Sequence, residues 1–141
     1  MTRGNGARRT GSRTPASCTG SSCIGLISSY GIKPGLVIKP NTPASAVFPY
    51  LDKLYMVLIM TVEPGFGGQS FMADMLPKVK EIKDYAKSIG KDILIEADGG
   101  INEETIAQCA NAGIDICVSG TGVFKAENAE KAIAQLKALC K

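Results

Sequence analysis

Histidine is absent from all 141 residues. Without imidazole, a zinc site of the usual cysteine–histidine type has no basis. Five cysteines are present (Cys18, Cys23, Cys109, Cys117 and Cys140). An odd count at irregular spacing does not make a disulfide framework, so they are expected to be reduced, small apolar residues. No apolar run approaches the ~20 residues that a membrane span requires, and no membrane association is expected. Acidic residues are missing before Asp52, and arginine is missing after Arg13. The overall charge of +3 therefore misleads. Beyond the first thirteen residues, twelve lysines stand against thirteen acids, a balance of −1. A near-neutral body lacks the basic face of a nucleic-acid-binding domain.

Residues 1 to about 23 are serine, threonine, glycine and arginine with hardly any apolar content. Such a segment cannot bury enough surface to offset the entropy of ordering, and a disordered tail is expected. Its composition, rich in arginine and serine and poor in acid, is that of an organelle transit peptide, although no periodic apolar face accompanies it. An inert tail on a cytoplasmic protein is the alternative, a plastid or mitochondrial location following only if the tail is a transit peptide.

From about Ile32 the pattern becomes strand–helix alternation. Gly35 to Lys39 (GLVIK) is a short β-branched run stopped by Pro40. Asn41 and Thr42 are positioned to cap a helix with Pro43 in its first turn. Met56 to Met60 (MVLIM) is continuously apolar, as in a strand covered on both faces. Leu76, Val79, Ile82, Ala86 and Ile89 then recur at helical spacing, with Gly90 where a helix stops. Ile93 to Ala97 reads as a third strand. Asn102 can cap the next helix, with Glu103 and Glu104 at its positive end and Gly113 past its close. Ile116 to Ser119 is a fourth strand, and a last helix carries Ile133, Leu136 and Cys140 on one face. Four βα units with short connections imply a parallel sheet. A whole (β/α)8 barrel needs ~250 residues, so the choice lies between a small open sheet and half a barrel.

Three glycine-rich loops follow strand C-terminal ends: Glu63 to Gln69, Asp98 to Asn102, and Ser119 to Phe124. Glycine lets backbone N–H groups approach a ligand closely. Successive N–H groups form a nest for an anion, and the last βα loops of barrels often hold phosphate this way. One such loop is commonplace; three at equivalent ends of consecutive strands point to a phosphate site.

The stretch MTVEPGFGGQSF (Met60 to Phe71), followed by MLPKVKEI (Met75 to Ile82), resembles the signature of the ribulose-phosphate 3-epimerases. EADGGIN (Glu96 to Asn102) and VSGTGVF (Val118 to Phe124) resemble the next two motifs of that family in order and spacing, and GLVIKPNTP (Gly35 to Pro43) resembles its fifth barrel strand. The likeness covers about Ser28 to Lys141, the last four βα units of the family fold. It implies a parallel (βα)4 half of a TIM (β/α)8 barrel over residues 24–141, behind a disordered tail over 1–23. It further implies an isomerase interconverting ribulose 5-phosphate and xylulose 5-phosphate, in the pentose phosphate pathway. By the same resemblance, Gly65, Phe66, Gly67, Gly68, Gly99, Gly100, Gly120 and Thr121 contact substrate and its phosphate, and Met60 lines the pocket. Asp98 falls on a carboxylate that is both metal ligand and acid/base. A divalent metal (Fe, Mn, Zn or Co) is implied as cofactor, the family holding it with two aspartates and two histidines.

Epimerisation beside a ketone removes a proton from one face of the carbon and returns it to the other, which takes two acid/base groups. The enediolate between the two steps needs a positive partner, commonly a metal ion. This chain offers Asp98 alone; the strands that carry the family's histidines and second aspartate are expected to be missing. Glu63 reads as a solvated loop residue, and capping of the following turn is the structural alternative for Asp98. A half-barrel would have two open edges and an uncovered inner face, and is expected to form a homo-oligomer or to pair with a complementary half. A catalytically inactive phosphosugar-binding half-barrel or an interaction module is the alternative function. Glu96 shares the strand parity of Asp98, should point inward, and needs a partner, for which Lys39 is the candidate.

Overall fold

The computed structural model describes residues 20–140. Helix α1 (Gly20–Ser29) leads into β1 (Gly35–Ile38), a 3₁₀ helix (Ala44–Tyr50) and β2 (Met56–Met60). A short 3₁₀ turn (Ala73–Met75) precedes α2 (Pro77–Ser88), followed by β3 (Leu94–Asp98) and α3 (Ile106–Ala112). Strand β4 (Ile116–Val118), the one-turn helix α4 (Thr121–Phe124) and α5 (Ala129–Leu139) complete the order. The strands form one parallel sheet in the order β1-β2-β3-β4. The architecture is α/β, the (βα)4 half of a TIM barrel.

Strand alternation sorts the side chains. Ile38, Val57, Ile59, Ile95 and Ala97 face the helices and are buried. The first four pack with Val47, Leu51 and Leu54 around the 3₁₀ helix and with Val79, Ile82 and Ala86 of α2. Each large aliphatic side chain buried this way contributes about 1.5–3 kcal/mol. Ala97 belongs to a second cluster, with Ile101, Ile106, Cys109 and Leu136, that seats α3 and α5. The other face of the sheet carries Val37, Leu58, Met60, Glu96, Asp98, Ile116 and Val118. Among the described residues no helix covers it: Val37 is 57% exposed, Ile116 38% and Val118 37%.

Polar anchors link the layers. The Lys78 ammonium on α2 donates to the carbonyls of Pro40 (2.6 Å) and Thr42 (2.8 Å), holding the turn after β1. Asp115, at the start of β4, accepts from the backbone N–H of Ile95 (2.8 Å) and pairs with Lys83 of α2 (3.0 Å). Phe48 stacks on Tyr85 with centroids 4.2 Å apart.

Several expectations change. Helix α1 starts at Gly20, inside the stretch expected to be disordered, because Ile24 inserts into the core and repays the ordering; residues 1–19 lie outside the described residues. Pro43, not Asn41 or Thr42, occupies the N-cap of the 3₁₀ helix, with no side-chain cap bond, and Pro49 sits within that helix. Proline has no N–H to continue an α-helical ladder. On α5 the buried residues are Ala132 and Leu136, whereas Ile133 and Cys140 are exposed. Cys23 is disulfide-bonded, against the expectation of five reduced thiols; Cys109, Cys117 and Cys140 are free. No ion pair joins Lys39 to Glu96: by register Lys39 lies beside Met60, a layer above Glu96. No helix among the described residues is long and apolar enough to cross a membrane.

Candidate functional site

The C-terminal ends of β2, β3 and β4 open into a pocket of about 430 Å³. Its wall contains all ten residues singled out from the sequence: Met60, Gly65, Phe66, Gly67, Gly68, Asp98, Gly99, Gly100, Gly120 and Thr121. Val62, Pro64, Gln69, Ile101 and Val118 complete the lining. Register explains the floor. Met60, Asp98 and Val118 are aligned Cα partners on three adjacent strands, so their side chains form one row on the inward face.

The loop after β3 is held from three directions. The hydroxyl of Thr61, fully buried, donates to the Gly99 carbonyl at 2.7 Å. Thr105 donates to the Gly100 carbonyl at 3.0 Å, and Ser119 to that of Ile101 at 2.7 Å. Three consecutive carbonyls are thus engaged by hydroxyls from three segments. The N–H groups of Gly99, Gly100 and Ile101 donate to no acceptor among the described residues. A run of unpaired backbone donors at a pocket wall suits an anion. The loop after β2 is tied by Gln69, whose amide donates to the carbonyls of Glu63 (2.6 Å) and Phe66 (2.8 Å). Thr61, Thr105, Ser119 and the clamping role of Gln69 are not legible in the sequence, since each depends on a contact between separate segments or on loop shape.

Four of the pocket's glycines divide into two kinds. Gly100 has φ +67°, and a Cβ there would lie 2.6 Å from the Phe71 nitrogen. Gly99 would collide with Val62 at 2.4 Å. Packing alone requires these two. Gly67 and Gly120 have neither a left-handed φ nor an atom within 4 Å of an added Cβ. Nothing in the protein demands glycine there, and both open onto the pocket. A ligand approaching the backbone is a physical reason for both.

Asp98 is half-buried and caps nothing. The turn after β3 is capped by Asn102, whose side-chain oxygen accepts from the N–H groups of Glu104 (2.9 Å) and Thr105 (3.2 Å). Glu63 is exposed at the rim. Among the described residues, no three His, Cys, Asp or Glu side chains gather as a metal-binding group. A divalent ion takes several protein or water donors. Asp98, with Glu96 one layer below, does not supply such a set, so the residues described do not fit a resident metal by themselves.

A larger cavity, of about 710 Å³, lies at the opposite end of the strands, lined by Tyr55, Lys83, Lys87, Asp92 and Asp115. Lys83 and Asp115 are committed there to each other. The glycine loops are all at the other end, and so is the candidate chemistry.

The family model for ribulose-phosphate 3-epimerases matches residues 14–124. The chain belongs to this family. It is 44% identical over 115 residues to the ribulose-phosphate 3-epimerase of Bacillus subtilis (strain 168), a match covering 81% of this chain and 53% of that protein. To the Schizosaccharomyces pombe protein of the same name it is 42% identical over 107 residues, 76% of this chain and 45% of that one. The chain thus spans about half the length of the epimerases it matches. Among solved structures, 3-hexulose-6-phosphate synthase from Salmonella typhimurium superposes with a TM-score of 0.61 at 17% identity, covering 85% of this chain and 55% of that one. At that identity the likeness bears on the fold.

Proposed function

We propose that the pocket binds the phosphate of a pentulose 5-phosphate and that the chain takes part in interconverting ribulose 5-phosphate and xylulose 5-phosphate. The carrying observation is the pairing of a backbone anion nest with one carboxylate on the inward row. Gly99, Gly100 and Ile101 offer unpaired N–H groups, and the open glycines Gly67 and Gly120 leave room for phosphate oxygens. Asp98 sits on the same wall, where it acts as one acid/base of the pair that epimerisation needs. In the proton-transfer step, its carboxylate takes the C3 proton as the C3–H electrons form the enediolate and charge passes to the C2 oxygen. Delivery of a proton from solvent to the opposite face gives the epimer, and Asp98 releases the proton it took to solvent. Met60, beside Asp98, supplies an apolar wall to the reacting carbons. The family's divalent ion would stabilise the enediolate as a Lewis acid. The residues described do not form its coordination shell.

The presence of a single carboxylate on this row favours a second reading, a phosphosugar-binding half-barrel without turnover. Incubation of ribulose 5-phosphate with the purified chain in D₂O, followed by proton NMR, separates the two. Xylulose 5-phosphate carrying deuterium at C3 is the expected product. Saturable binding with neither deuterium uptake nor a new epimer would leave the binding role alone.

A further inference from the structure

Among the described residues, Cys109, Cys117 and Cys140 are free, and none of them lines the pocket above. We propose that Cys109 and Cys117 are a redox modification site, closing reversibly into a disulfide that ties α3 to β4 beneath the phosphate-binding loops.

The fold brings this pair together from separate layers. Cys117 is the Cα partner of Ala97 on β3, so it faces the helices rather than the row that holds Asp98. Cys109 is fully buried on α3 in the same cluster as Ala97, and Cys117 packs against that cluster. The two thiols share a hydrogen bond, with Cys109 donating to the Cys117 sulfur. The contact lies between the sheet and its own helices, away from the uncovered face. Sulfurs already in contact need to close by only about 2 Å to reach a disulfide bond of about 2.05 Å.

The reaction is thiol–disulfide exchange with a low-molecular-weight disulfide. Cys117 is half-buried, and the hydrogen bond from Cys109 favours its thiolate, so it attacks first. A mixed disulfide forms at Cys117 and one small thiolate leaves. Cys109 then gives its proton to solvent and attacks the Cys117 sulfur, displacing the second small thiolate. Two protein thiols are oxidised, and one small disulfide is reduced to two thiols. Capping Cys117 also removes the hydrogen bond that chiefly holds Cys109 protonated, burial being the second cause.

The position of the pair gives the bond an effect, and this part rests on the phosphate reading above. Cys117 stands two residues before Ser119, whose hydroxyl holds the Ile101 carbonyl. Cys109 is on the helix entered through Thr105, which holds the Gly100 carbonyl. Drawing the sulfurs together shifts β4 against α3, the two elements from which these clamps spring. The nest of Gly99, Gly100 and Ile101 then loosens its hold on an anion.

The purified chain is equilibrated with oxidised glutathione and mapped by mass spectrometry. Cleavage before Asp115 separates the two cysteines. A link between the two fragments, released by dithiothreitol, is the expected result. Cys140→Ser, at an exposed position, should form the same link. Bonds from Cys140 to either thiol in its place, or a glutathione adduct at Cys117 that never resolves, overturn the proposal. This map needs no variant of the pair itself. Inorganic phosphate, titrated by calorimetry, should bind the oxidised chain about threefold or more weakly than the reduced one. Cys117→Ser should show no such change on oxidation. The same change in that variant would trace it to Cys23, which is disulfide-bonded, and would overturn the coupling. So would equal affinities of the oxidised and reduced wild type. Failure of the reduced chain to bind phosphate sinks the phosphate reading and leaves the map untouched, so the two ideas fail separately.

Discussion

At the scale of single residues, the pocket's glycines answer to different constraints, and substitution should separate them. Gly100→Ala places a Cβ against the Phe71 backbone at a left-handed φ. It is expected to cost about 2–4 kcal/mol, measured by urea unfolding. Gly67→Ala and Gly120→Ala meet no atom. Their stability should stay within about 0.5 kcal/mol of wild type. Their affinity for a pentulose phosphate, measured by calorimetry, should fall by about tenfold or more through lost access to the backbone. Equal losses of stability at all three positions would remove the distinction. Thr61→Val keeps the volume but leaves the Gly99 carbonyl without its hydroxyl donor. A loss of about 1–3 kcal/mol is expected, with Thr61→Ser recovering most of it.

Among the elements, what decided each boundary was often a contact rather than a propensity. The sequence pattern places β2 within its observed limits, and α2 nearly so, because MVLIM and the 3.6-residue repeat both carry strong periodic signals. Gly90 and Gly113 stop their helices as expected, each with positive φ. The segment after β1 was harder: its anchor is Lys78, distant in sequence, reaching two carbonyls of the turn. Lys78→Met should therefore lower stability by about 1–2 kcal/mol and speed amide exchange around residues 40–44. Helix α1 was hidden for a similar reason, its composition reading as tail while Ile24 packs into the core. The thiols report on α3 and β4. A hydrogen bond to Cys117, with burial adding to it, pushes the Cys109 thiol well above its ordinary range, whereas the same bond draws Cys117 down. At mildly alkaline pH, iodoacetamide should modify exposed Cys140 readily and Cys109 only when α3 opens, as read by mass spectrometry over time. Early labelling of Cys109 would mean that the second core cluster is loose.

For the sheet as a whole, the helices of the described residues lie on one face, and the inward row with Asp98 lies on the other. Asp98→Asn on this face is expected to abolish deuterium uptake at C3 of the pentulose phosphate, read by proton NMR, while calorimetric binding of the phosphate stays within about threefold of wild type.

The sequence by itself determined the repeating βα order, the parallel sheet, the family, and ten of the fifteen residues that line the pocket. These rest on local periodicity and on motifs that lie within single loops. Only the tertiary structure decided that Thr61, Thr105 and Ser119 converge on three successive carbonyls, and that Gly99 and Gly100 are demanded by packing whereas Gly67 and Gly120 are not. It also decided that the inward row of Met60, Asp98 and Val118 stands uncovered. Each of these depends on the distance between segments far apart in the chain, and strand register and packing set that distance where no local pattern can.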